Sequence, residues 1–213
     1  MHAVALLLAA GESERMGTPK ALLPWRGQPL LRHQLNEIQK SSLRECVTVL
    51  GSGADRLVGL CEQPRHPRWK SRVIINPRYG EGKCASILAG LTALCDRPDA
   101  ILVAAVDQPL DHRVIDALLS AANLEWDRGE AVARRTIVLP VFRGRRGHPA
   151  LFCGSLVGEL MGISEESEGL RGVVRRDRGR VLELPWDDAA VLMNLNAPID
   201  LPPPAPRAGL RAD

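Results

Sequence analysis

The stretch LLLAAGESERMGTPKALLPW, residues 6–25, decides how this chain is read. Its first part completes an apolar run over residues 4–10 that stops at Gly11. Short, wholly apolar runs bounded by glycine are the mark of strands buried on both faces. The polar loop that follows carries Arg15 and Lys20 among the glycines Gly11 and Gly17 before the chain turns apolar again. A Walker loop (GxxxxGK[ST]) does not fit: five residues separate Gly11 from Gly17, and Lys20 arrives three positions later. The dinucleotide pattern GxGxxG is absent as well. The ingredients of an anion cradle are nonetheless present: a turn with outward N–H groups at Gly11, an Arg fork and a Lys point charge. On residue chemistry alone, an anion-binding loop and a plain solvated loop stand equally open.

Outward from this stretch the chain alternates. Residues 29–40 have helical apolar spacing, 45–50 read as a strand, 54–61 as a helix, 71–76 as a strand and 84–94 as a helix. Residues 100–106 form another all-apolar strand, followed by a helix near 113–122. This alternation predicts an α/β fold in three layers, a mostly parallel sheet with helices on both faces. Such folds bind ligands at the carboxyl ends of the strands. Further on, residues 131–142 read as one or two strands interrupted by Pro140, and 143–149 as a loop. Residues 151–162 and 169–178 read as helical, with short strands at 181–184 and 191–194. One domain over residues 1–201 is expected, with 202–213 as a Pro-rich flexible tail that has too little apolar surface to order itself.

Composition narrows the function classes. The 213 residues are 45% hydrophobic and 25% charged, as in an ordinary soluble globular chain. A net charge of +3 with 3% aromatics argues against nucleic acid and a membrane surface; any anionic partner is better sought as a phosphate in a pocket. Five widely spaced cysteines, none in CxxC, argue against a disulfide framework or structural zinc and for a reducing, cytoplasmic setting. The first apolar run is too short to span a bilayer.

LAAGESERMGTPK, followed by GQPL, resembles the signature of MobA-like nucleotidyltransferases, LAAG-x-S-x-RMG-x-PK and L-x-x-x-G-x-P-L. The resemblance covers about residues 4–201. It implies a Rossmann-like fold of the nucleotide-diphospho-sugar transferase type and a loop that cradles the triphosphate of an NTP. Leu8, Ala9, Ala10, Gly11, Ser13 and Gly17 would then contact the nucleotide, with Arg15 and Lys20 stabilising charge on the α-phosphate and the leaving pyrophosphate. In AAVDQPL, Asp107 follows the apolar strand; read by itself it is either a metal ligand or a helix N-cap. The resemblance makes it the ligand of an essential Mg²⁺. NPRYGEGKCASILAGL is similar to a family segment whose Asn76 and Ser86 contact the nucleotide, although Ser86 also suits a helix start.

LAAG, DQP and GRRGHP (residues 144–149) resemble the branch that makes molybdenum cofactor cytosine dinucleotide. His148 in that motif would contact the pterin or phosphate, or simply shape the turn before Pro149. EGLRGVVRR resembles the family's GD-x-GAR helix, with Gly169 and Arg171 in place, and assigns Arg171 to the acceptor side. MNLNAPIDL stands where the family carries D-x-D-T-P-x-D-L, so Asn194 and Asn196 replace two aspartates. An asparagine carbonyl ligates Mg²⁺ without adding negative charge, and Asn196 is the second expected metal ligand. The implied reaction is transfer of CMP from CTP, or GMP from GTP, to the phosphate of a molybdopterin-type acceptor, with a molybdenum hydroxylase as possible client. Alternatives are a sugar-phosphate acceptor, a non-catalytic module that carries molybdenum cofactor, and an oxidoreductase grown from the same scaffold.

Overall fold

The opening apolar run forms strand β1 (Ala3–Ala9), every residue of it buried. The computed structural model describes residues 1–12, 18–62, 69–126 and 135–196. The loop residues Ser13, Arg15 and Gly17 and the tail at 202–213 lie outside that set. The further main strands are β2 (Glu45–Leu50), β3 (Lys70–Ile75), β4 (Ala100–Ala105), β5 (Ile137–Phe142), β6 (Ala150–Cys153) and β7 (Val181–Pro185). They pair in the order β7-β5-β6-β4-β1-β2-β3, with the short strand Arg145–Arg146 added to β5. β1 is parallel to both β2 and β4, β2 to β3, and β5 to β7. Only β6 among the main strands runs antiparallel, between β4 and β5.

Helices α1 (Leu30–Lys40), α2 (Ala54–Leu57), α3 (Lys83–Thr92), α4 (His112–Trp126), α5 (Val157–Met161) and α6 (Leu170–Arg176) cover the two faces. Alternation along β1 explains the layering, because successive side chains leave a strand on opposite sides. Ala3, Ala5, Leu7 and Ala9 pack with Leu31 and Leu35 of α1 and Ile115 and Leu118 of α4. Val4, Leu6, Leu8 and Ala10 pack with Ile87 of α3, Leu160 of α5 and Val173 of α6. Each fully buried Leu or Ile contributes roughly 1.5–3 kcal/mol, so the two cores together hold the three layers. α3 lies especially close: a Cβ at Gly90 would meet Leu6 Cδ1 at 2.2 Å.

Three expectations fail in the second half. Residues from 151 were expected to be helical, yet β6 takes Ala150–Cys153 and the helix begins only at Val157. Leu151 joins one core and Phe152 the other, so both faces of this segment are buried and the apolar run carries no helical stripe. Pro140 does not interrupt β5. It lies past the last β6 pair, Val138–Leu151, where an N–H toward β6 is not required, and its carbonyl accepts from Gly147 N at 2.8 Å. Residues 191–194 form no strand; Ala189–Leu192 is a 3₁₀ turn, and Leu195 N donates to Asp107 O at 2.8 Å. No helix among the described residues is long and apolar enough to cross a membrane.

Candidate active site

β1 is the point where the strand order reverses direction, with β2 on one side and β4 on the other. Open α/β sheets place ligands outside the carboxyl ends of the strands at that switch. A cleft of about 470 Å³ opens there, lined by Leu8, Ala9, Ala10 and Gly11 after β1 and by Ala105, Val106 and Asp107 after β4. Pro19, Lys20 and Asn196 also line it, as do Tyr79, Gly80, Gly82, Lys83 and Ser86.

The chain is tied tightly at the floor. Ser52 N donates to Ala10 O at 3.1 Å, and a Cβ at Gly51 would meet both Ala10 O and Tyr79 Cβ at 2.6 Å. Only glycine permits that approach, which brings Tyr79 to the cleft wall. Lys20 opens a one-turn 3₁₀ helix, Lys20–Leu22, behind the extended Pro19. A small hairpin anchors it: Trp25 pairs with Gln28 across Arg26 and Gly27, both at positive φ (49° and 80°), as a two-residue primed turn requires. Buried Ala21, Leu23 and Trp25 fix the hairpin to the core, so the Lys20 backbone is held on both sides.

At the centre, Lys20 Nζ donates to Asp107 Oδ2 at 2.7 Å and to Asn196 Oδ1 at 2.9 Å. Asp107 stands two positions past the end of β4, and the extended segment carrying Asn196 is held against it through Leu195 N–Asp107 O. Gln108 Nε2 donates to Asn194 Oδ1 at 3.3 Å. The two asparagines are thus brought to the Asp107 turn. One carboxylate and one amide oxygen converge on a cation, the Lys20 ammonium, and hard oxygen donors of this kind suit Mg²⁺ beside phosphate oxygens. The residues present therefore fit a divalent metal, provided the ammonium moves away.

Other sequence-based expectations divide. Asn76 and Ser86 come together, but Asn76 Nδ2 donates to Ser86 Oγ at 3.1 Å and Asn76 Oδ1 accepts from Arg78 N at 3.0 Å. Ser86 lines the cleft; Asn76 is buried behind it and not among the lining residues. His148 and Arg171 are likewise not among the residues lining the cleft. His148 is nonetheless close enough to feel its charges: burial, then Lys83, push its imidazole down to about 4, with Asp107 pulling up and Arg171 pushing further down. The ring is therefore neutral near pH 7 and offers one donor and one acceptor. Arg171 is exposed at the start of α6. Tyr79 and Lys83 were not singled out from sequence. A lysine directly after Gly82, at the first turn of α3, was the available signal for Lys83.

The chain matches the family described as MobA-like NTP transferase domain over residues 5–181. It is 37% identical over 173 residues to nicotine blue oxidoreductase of Paenarthrobacter nicotinovorans, covering 80% of each protein. It is 30% identical over 145 residues to a probable molybdenum cofactor guanylyltransferase of Bacillus cereus (strain AH820), covering 66% of this chain and 62% of that one. Among solved structures, Rv0371c of Mycobacterium tuberculosis H37Rv shares the fold with a TM-score of 0.74 at 22% identity, covering 93% of this chain and 94% of that one. Another crystal structure of Rv0371c is a complex with manganese, with a TM-score of 0.70 at 21% identity, covering 94% of this chain and 96% of that one.

Proposed function

We propose, for a chain that belongs to the MobA-like NTP transferase family, that it transfers CMP from CTP to the phosphate of a molybdopterin-type molybdenum cofactor and releases pyrophosphate. The observation that carries this reading is Lys20 held at 2.7 Å from Asp107 and 2.9 Å from Asn196 in a cleft at the sheet's switch point. The motifs LAAG, DQP and RGHP favour CTP and the pterin acceptor, and the resemblance of the chain to a probable molybdenum cofactor guanylyltransferase keeps GTP as the competing nucleotide. The product would serve a molybdenum hydroxylase in the cytoplasm.

An acceptor phosphate oxygen attacks the α-phosphorus, forming one P–O bond as the bond to the β-phosphate oxygen breaks. Little covalent help is needed for such a transfer; positioning and charge do most of it. Lys20 leaves Asp107 and Asn196 for the phosphates and offsets charge on the departing pyrophosphate, with Arg15 as its expected companion. Asp107 and Asn196 would hold Mg²⁺, which would supply positive charge to offset that of the phosphates. The neutral His148 ring and the Arg171 guanidinium meet the acceptor, and the Ala9–Gly11 backbone with Ser86 borders the nucleoside.

The test is pyrophosphate release with CTP and with GTP, in the presence and absence of molybdenum cofactor. Cofactor-dependent release with CTP supports the reading; release with GTP alone moves it to the guanylyl branch. A second reading has its own support: the relative at 37% identity is named an oxidoreductase, and Asn196 lowers the charge available to a metal. NADPH oxidation with a dye-like substrate, without pyrophosphate release under any NTP, would establish that reading instead.

A further inference from the structure

Asp107 lies one residue past Val106, beyond the end of β4, and the sheet itself holds little of the turn that carries it. Val106 N donates to Leu8 O at 2.8 Å and Gln108 N to Ala105 O at 3.1 Å. Asp107 O accepts from Leu195 N at 2.8 Å, and the backbone groups on either side of it are served from α1. Gln34 is fully buried, and its Nε2 faces the carbonyl oxygens of Ala105 at 3.3 Å, Val106 at 2.9 Å and Gln108 at 2.8 Å. Its Oε1 accepts from Leu110 N at 2.8 Å. A single amide thus grips both neighbours of Asp107 and the end of the turn. The same face of α1 continues the grip: His33 Nε2 lies 3.1 Å from Leu110 O, and Glu37 Oε2 accepts from His112 N at 3.1 Å and pairs with His112 Nδ1 at 2.8 Å.

We propose that Gln34 is the positioning residue for Asp107: its buried amide fixes the 105–110 turn so that the carboxylate points at Lys20, Asn196 and an incoming metal–nucleotide. The proposal rests on Asp107 handling the metal and triphosphate, as argued above. Gln34 is not among the cleft-lining residues, so its effect reaches the cleft only through the backbone on either side of Asp107. The chemistry asks for this side chain. Two N–H donors at one end and an acceptor beside them are supplied by an amide; a carboxylate keeps the acceptor and loses the donors, and asparagine is a methylene too short. Without the donors, the buried carbonyls of Val106 and Gln108 have to find other partners, and the turn shifts to do so. Outer supports of a metal ligand of this kind typically change metal affinity about 10–100-fold when removed.

The test compares wild type, Gln34→Met, Gln34→Glu and Asp107→Asn in the 213-residue chain, by Mn²⁺ titration followed by electron paramagnetic resonance with CTP present and no acceptor. Gln34→Met keeps the volume without the amide; Gln34→Glu keeps the Leu110 bond and the volume, so that at least one folded variant, checked by near-ultraviolet circular dichroism, reports on the donors. CTP binding in EDTA is measured in parallel. The expected result is Mn²⁺ affinity lowered about 10–100-fold in the Gln34 variants, with metal-free CTP binding unchanged. Loss of Mn²⁺ affinity in Asp107→Asn but not in the folded Gln34 variants would overturn the positioning role alone. Unchanged Mn²⁺ affinity in Asp107→Asn would overturn the reading of the site, and the positioning role with it.

Discussion

Replacing Lys20 by Met makes two quantities move in opposite directions. The ammonium sits 2.7 Å from Asp107 Oδ2, and the two side chains are only 18% and 21% exposed. Two unit charges about 4 Å apart interact by roughly 4 kcal/mol at an effective dielectric of about 20, and desolvation and residual solvent screening cancel much of that. A net ~1–2 kcal/mol is left as the competition that a divalent cation must overcome before it can use Asp107, a factor of roughly 5–30 in affinity. Lys20→Met should therefore bind Mn²⁺ more tightly than wild type when no nucleotide is present, measured by electron paramagnetic resonance. The same variant should lose about 10²–10³ in turnover, as sites do when a charge-stabilising donor is removed. Nucleotide-free Mn²⁺ affinity that stays equal or falls would refute the idea that the ammonium stands in the metal's place.

Other outcomes follow from the same geometry. Asn196→Asp restores a second carboxylate at the cation position and should strengthen Mn²⁺ binding, read by the same titration. Gly51→Ala drives a Cβ into Ala10 O and Tyr79 Cβ, both at 2.6 Å, and should lower stability by about 1–3 kcal/mol and weaken nucleotide binding together; denaturant melts and CTP titration check both. For Glu37, burial raises the carboxyl but hydrogen bonds from Lys40 and His112 outweigh it and bring it from the ordinary 4.5 down to about 2. Its folded-state value is the lower one, so its stabilisation, up to about 3 kcal/mol, is full above pH 4.5 and lost as pH falls toward 2. Glu37→Gln should flatten that part of an acid-unfolding curve. His148, held down to about 4, should contribute no inflection to a pH–rate profile between pH 5.5 and 8, and His148→Asn should leave the profile's shape unchanged while altering the acceptor KM.

Much of the first half was legible because its signals are local. All-apolar runs ending in Gly11 or Asp107 announce buried parallel strands and the positions just beyond them, and helical spacing marks α1 and α4 without reference to partners. The second half was not, because LFCGSLVGELMGI is apolar on every side. Only the gap between β4 and β5 decides that Ala150–Cys153 is an antiparallel strand, with Leu151 serving one core and Phe152 the other. Pro140 misled for a related reason: a proline is disruptive where its missing N–H is needed, and that depends on where β6 ends.

The sequence by itself determined the fold class, the family signature and the candidacy of Lys20, Asp107 and Asn196, since each sits in a recognisable local pattern. Tertiary structure alone decided that Lys20 reaches across 87 residues to Asp107 and 176 to Asn196, and that Gln34 of a helix on one face grips the turn at the mouth of the cleft. The physical reason is that a polar side chain's role is set by what it is buried against. Gln34 carries no motif and would suit any helix surface, and it becomes part of the site only because the fold leaves the carbonyls around Asp107 with few other donors.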